Sequence, residues 1–186
     1  MATIPSLWLP ILLSAVAVFL ASSVIHMVLR YHKNDVRQLP NEEQVMNAVR
    51  AGNVAPGVYV YPYAPSMKEM GSPAMAEKYK RGPVGLLTAL PSGTPNMAKN
   101  LVLWFVFSVV IGVVVAYVAS RTIESGAAYL GVFRIAGTVA LLGYAGAEAT
   151  NSIWRGQPWG TTARNSIDGL IYALLTAGVF GWLWPR

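Results

Sequence analysis

Four stretches of the chain are apolar over some twenty consecutive residues, and polar positions fall almost entirely between them. A helix rises about 1.5 Å per residue, so about 20 mostly apolar residues are needed to cross the hydrocarbon of a bilayer. The stretches run from about Trp8 to Leu29, Leu101 to Ser120, Ala127 to Ala147 and Ile167 to Trp184. The first holds no charged residue, only His26 near its end. The second has no ionisable group except Tyr117, the third contains Arg134 and the fourth Asp168. The pattern predicts an all-α membrane protein: a four-transmembrane-helix bundle. Residues 1–30 form the first span, residues 31–98 a loop region of small mixed structure, and residues 99–186 the other three spans.

Eight of the twelve prolines lie in residues 31–98, which rules out one long helix there. A short helix is expected behind Asn41, with Glu42 and Glu43 in its first turn and Gly52 as its stop. The β-branched and aromatic run Val58–Tyr61 predicts a strand. Ser72-Pro73 opens a second helix through Lys80, and Val84–Leu90 gives a second strand. Asn96 stands where it caps the second span. The region is expected to pack as a small lid on the mouth of the bundle, with Lys78, Lys80 and Arg81 facing headgroups.

Composition strengthens the membrane reading. Of 186 residues, 54% are hydrophobic and 12% charged, well under the quarter usual in soluble domains; the mean hydropathy is +0.45. The absence of cysteine removes disulfides, thiolate nucleophiles and Cys-ligated metal centres. A net charge of +6 raises nucleic acid as a partner, but most Lys and Arg flank apolar runs, where they set orientation. The expected partner is the bilayer. Lys33, Arg37, Arg50, Lys68, Lys78, Lys80 and Arg81 place residues 31–98 in the cytoplasm and both termini outside. The first span lacks the basic stretch that precedes a signal sequence, so it reads as a retained anchor.

Small residues mark where helices approach within lipid. Gly112, Ala116 and Ser120 form such a ridge on the second span; it either packs a compact bundle within one chain or, offering more contact surface than one neighbour needs, joins copies of the chain or other membrane subunits. Charges within spans are expensive and informative. Arg134 lies about 10 Å deep on the third helix, on the same face as Thr138, Leu141, Ala145 and Glu148, where it either snorkels toward Glu124 or serves a pathway. Near the inner ends of the helices, His26, Lys99, Asn100, Glu148, Arg155, Arg164, Asp168 and Tyr172 are candidates for one polar cluster. Two readings stay open: ordinary pairing at helix ends, such as Asp168 with Arg164 one turn earlier, or a proton, ion or ligand site around His26. His26 and His32 are six residues apart, a poor match to the i, i+4 spacing of a helical metal site. Neither a metal nor another cofactor is expected. No Walker loop, GxSxG, HExxH or EF-hand motif occurs.

Several blocks carry a resemblance. His32-Lys33-Asn34-Asp35 with Leu39-Pro40, Lys80-Arg81-Gly82-Pro83, Asn96 to Leu101, Asn151-Ser152-Ile153-Trp154 and Asp168 to Tyr172 resemble a group of small bacterial membrane proteins without assigned activity. The resemblance implies a four-span protein of the bacterial inner membrane and transfers no catalytic residue. The expected function is a non-catalytic accessory or self-associating membrane component. A small oligomeric channel or transporter and a membrane-embedded enzyme are the alternatives.

Overall fold

A computed structural model describes residues 2–185. In chain order the helices and strands are α1 (Trp8–Met27), α2 (Glu42–Ala51), β1 (Gly57–Tyr61), α3 (Met67–Met70), α4 (Pro73–Arg81), β2 (Gly85–Ala89), α5 (Met97–Thr122), α6 (Tyr129–Ala145), α7 (Glu148–Arg155) and α8 (Trp159–Trp182). Single 3₁₀ turns precede and follow α1, at Pro5–Leu7 and Arg30–His32. The chain divides into two compact units, residues 1–36 with 96–186, and residues 37–95. Residues 31–36, expected in the loop, therefore fold with the bundle.

In the first unit the four long helices pack in a ring, α1 against α5, α5 against α6, α6 against α8 and α8 against α1. Each buries a narrow stripe at helical spacing: Ile11, Ala15, Val18, Ser22 and Ile25 on α1, Val132, Ala136 and Ala140 on α6. The outward faces keep Leu12, Leu20, Val24, Val102, Val106 and Val110 exposed. Apolar residues all round a helix are what lipid requires.

Three segments are long and apolar enough to cross a membrane: Pro5–Met27, Met97–Thr122 and Tyr129–Arg155. The expected fourth corresponds to α8, which has 24 residues. Its first half is diluted by Thr161, Thr162, Arg164, Asn165, Ser166 and Asp168, which sets it apart from the other three.

Glycine permits close approach at several helix contacts, two of which bear on the ridge of α5 and on the surroundings of Asp168. A Cβ on Gly112 would lie 3.2 Å from Ile11 Cγ2 and 3.3 Å from the Ile11 carbonyl oxygen. The Gly112, Ala116 and Ser120 ridge is thus buried against α1 inside the chain. This is the ridge packing within a compact bundle, one of its two expected uses. On α8, a Cβ at Gly169 would come within 2.7 Å of Ala145 Cβ and 3.2 Å of backbone, so glycine lets the end of α6 settle beside Asp168.

In the second unit, β1 and β2 form an antiparallel hairpin pairing Gly57 with Ala89 and Tyr61 with Gly85. Ser72 caps α4 by accepting from the Met75 amide at 3.2 Å, with Pro73 in the first turn. Ser66 caps the unforeseen α3 in the same way. The helix behind Asn41 forms, but Asn41 sits in the left-handed region at φ 54° and its side chain makes no cap bond. Asn96 does cap α5, accepting from the Lys99 amide at 2.9 Å.

Candidate functional site

The polar end of the bundle is built by the way α1 ends. Val28 still donates to the Val24 carbonyl, but Leu29 is extended (φ −84°, ψ 104°), and the chain leaves the helix axis there. One 3₁₀ turn at Arg30–His32 follows, then a turn closed by the Asp35 amide on the His32 carbonyl at 2.9 Å. This brings Tyr31, His32 and Asp35 onto α8, where Thr161, Arg164 and Asp168 lie on one face at spacings of three and four. Six residues around an unbroken helix would separate His26 from His32. Because the helix ends at Met27, their rings lie 4.7 Å apart between centroids.

Asp168 is the centre of the arrangement and only 4% exposed. The Tyr31 hydroxyl donates to its Oδ1. Its Oδ2 lies 2.9 Å from His32 Nε2 and 3.7 Å from His26 Nε2. The other His32 nitrogen, Nδ1, is 2.6 Å from Asp35 Oδ2. Asp35 Oδ1 accepts from Arg164 Nε at 2.9 Å, from Arg164 Nη2, and from the Thr161 hydroxyl at 3.1 Å. Arg164 therefore pairs with Asp35 and not with Asp168.

Two groups here are electrostatically displaced. The bond from Arg164 holds the Asp35 carboxyl down at about 2, helped by bonds from His32 and Thr161 and opposed by burial. Burial pushes the Tyr31 phenol up to about 12, reinforced by its bond to Asp168 and by that carboxylate's charge. Asp35 is thus favoured in its ionised form. His32 faces a carboxylate at each nitrogen, and a ring with one N–H can donate to only one of them.

Beside this cluster opens a cavity of about 680 Å³. Met27, Leu101, Trp104, Tyr144 and Tyr172 give it apolar and aromatic walls, and His26, Glu148, Asn165 and Asp168 a polar edge. Trp104 is oriented by its indole N–H, which donates to Ser22 Oγ at 2.9 Å. Glu148 accepts from Asn165 Nδ2 at 3.0 Å. Tyr172 is 4% exposed, and its buried hydroxyl has no hydrogen-bond partner among the described residues.

Of the residues singled out from sequence, His26, Glu148, Asp168 and Tyr172 come together on this cavity. Arg164 stands behind it, on Asp35. Lys99, Asn100 and Arg155 do not join: all three are exposed and, among the described residues, form no ion pair. Lys99 is two residues from Leu101, about 200° around α5, so it faces away when Leu101 faces the cavity. Arg134 is exposed on α6, and its expected pairing with Glu124 is not among the described ion pairs. Tyr31, His32 and Asp35 were missed. The signal available was the pair of titratable residues directly after a span, next to a helix carrying Arg164 and Asp168 one turn apart.

Compared with known protein families, with curated proteins and with solved structures, the chain matches none.

Proposed function

We propose that the chain is a four-span protein of a bacterial inner membrane, with both termini outside and residues 31–98 cytoplasmic. It binds an amphiphilic small molecule at the inner end of its bundle. The observation that carries this reading is the one-ended cavity, which joins His26, Glu148 and Asp168 to a largely aromatic and aliphatic wall. Such a shape takes an apolar body and places a polar head against the titratable edge.

A channel within one chain is disfavoured by the rest of the bundle. Leu7, Ile11, Val115, Val132, Ala136, Ala140 and Phe180 fill the end away from the cavity. The buried hydroxyls between, Ser14, Ser108 and Thr176, donate to carbonyls of their own helices. The packing of Gly112 against Ile11 weakens one of the grounds for self-association, since that part of the ridge has a neighbour within the chain. An enzyme acting on the bound molecule is the second reading, favoured by the convergence of a histidine and two carboxylates on one cavity.

The test uses 11-bromoundecanoate and 11-bromoundecylammonium with the protein in lipid nanodiscs. Bromine quenches an indole it touches. Saturable quenching by one of these probes is expected, and it should vanish in Trp104→Phe. Quenching that only rises linearly with probe, and equally in Trp104→Phe, would be partition into lipid and would overturn the proposal.

A further inference from the structure

We propose that His26, His32 and Asp168 form a site for a divalent first-row transition-metal cation, bound through the two Nε2 atoms and Asp168 Oδ2. One ligand atom from each of the three residues lies within 4.8 Å of the others. Two imidazoles and one carboxylate are the donor set used by open zinc centres and by non-haem iron centres. Ligand atoms at about 2.0–2.1 Å from a tetrahedral ion stand about 3.4 Å apart. The observed 3.7 Å from His26 and 2.9 Å from His32 to Asp168 Oδ2 bracket that separation. His26 has the room to adjust, its side chain being 53% exposed at the end of α1.

The surroundings carry the proposal beyond three nearby donors. Metal-binding histidines characteristically hold their second nitrogen against a carboxylate, which fixes the ring and its tautomer. His32 does so through Asp35, and Arg164 and Thr161 anchor that carboxylate in turn. With the N–H of His32 directed at Asp35, its Nε2 presents a lone pair toward the Asp168 carboxylate. Lone pair against carboxylate is repulsive, and a cation between them converts the contact into two bonds. Asp168 is prepared in the same way. Tyr31 occupies Oδ1, which leaves Oδ2 to the histidines and favours one-oxygen ligation.

Three protein ligands leave a coordination position open. His26 and Asp168 also form part of the cavity wall, so that position faces the cavity. This part of the inference rests on the amphiphile reading: the head group would be an oxygen donor such as a carboxylate or phosphate. The cation site itself stands without it.

The experiment is a titration of the purified full chain with cobalt(II) and zinc(II), after chelation and in mild detergent. One equivalent of cobalt should give visible absorption bands of a four- or five-coordinate N₂O site, and zinc should displace it. His26→Ala, His32→Ala and Asp168→Asn should each weaken binding at least tenfold. Asp35→Asn, which touches no metal, should weaken it by about 10–100-fold, while the exposed Glu43→Gln should change nothing. Circular dichroism tests whether each variant is folded, and the cobalt spectrum of the unaltered chain decides the matter even where one is not. Absence of those bands, or a bound ion retained in His32→Ala, would overturn the proposal. Repeating the bromine quenching with and without zinc separates the two readings: zinc binding without quenching would sink the amphiphile alone, and quenching without zinc binding the metal site alone.

Discussion

Asp35 shows how a residue outside every helix can determine a site within a bundle. It accepts from Arg164, Thr161 and His32 together and so ties the turn after α1 to the first part of α8. Hydrogen bonds to charged groups contribute about 1.5–3 kcal/mol each where solvent does not replace them. Arg164 is one-third exposed and will recover part of its loss from water. Asp35→Ala is therefore expected to cost about 2 kcal/mol. Asp35→Asn, which keeps one acceptor for Arg164 and Thr161, should cost less. Thermal unfolding in mild detergent measures both, and equal Tm values for Asp35→Ala and the unaltered chain would show that the turn is held by something else. At this scale the sequence was half legible. Asp168 stood out because a carboxylate within an apolar run is costly, and so did His26. Asp35 and His32 did not, because they follow the span in a loop rich in charge. Only the extended conformation at Leu29 turns them back, and no residue type announces it.

The elements were easier to read than their partners. Apolar length located α1, α5, α6 and α8, and the cap chemistry of Ser72-Pro73 and Asn96 located two helix starts. Periodicity cannot tell which face meets which neighbour, so the small-residue ridge of α5 suits a neighbour in the same chain or in another copy, and Gly112 meets α1. Gly146 and Ala147 interrupt the third helix, which puts Glu148 at the start of α7. The consequence for α5 is testable. A side chain at Gly112 would press on both the side chain and the backbone of Ile11, and the backbone cannot yield cheaply. Gly112→Leu should lower the Tm of the single chain and reduce the folded yield, whatever its assembly. Gly131, early in α6, is open: a Cβ there would meet nothing within 4 Å. Gly131→Ala should leave stability unchanged or raise it by about 0.5–1 kcal/mol, the helix preference of alanine over glycine. A Gly112→Leu chain that keeps its Tm but loses a dimer in a mass measurement would restore the ridge to an interface between copies.

For the whole molecule, the proposed four-span topology requires α8 to cross the membrane with the three more apolar segments. Its two ends argue that it does. The N-terminal part meets the turn after α1 through Asp35 and Arg164. Just beyond its C-terminus, the Trp184 indole donates to the Glu124 carbonyl at 2.9 Å, and the Gly126 amide donates to the Pro185 carbonyl at 2.9 Å. Glu124 and Gly126 lie in the turn between α5 and α6, the end of the bundle opposite the cavity. A helix of 24 residues is about 36 Å long at 1.5 Å per residue, more than the about 30 Å of hydrocarbon. So if α5 and α6 cross, α8 crosses beside them. In the proposed topology its polar first half faces the cluster and the cavity rather than lipid. The expected topology places Thr3, Ser125 and the chain's C-terminal end on one side, with Ser66 and Gln157 on the other. Single cysteines at these positions, in the cysteine-free background, can be labelled in intact cells with an impermeant thiol reagent. Labelling of Thr3→Cys and Ser125→Cys with protection of Ser66→Cys and Gln157→Cys is expected, and a reporter fused after residue 186 should read as external. A C-terminal reporter on the same side as Gln157→Cys would make α8 a helix that enters without crossing. Labelling at Ser66→Cys but not at Thr3→Cys would reverse the orientation and move the cavity to the outer face.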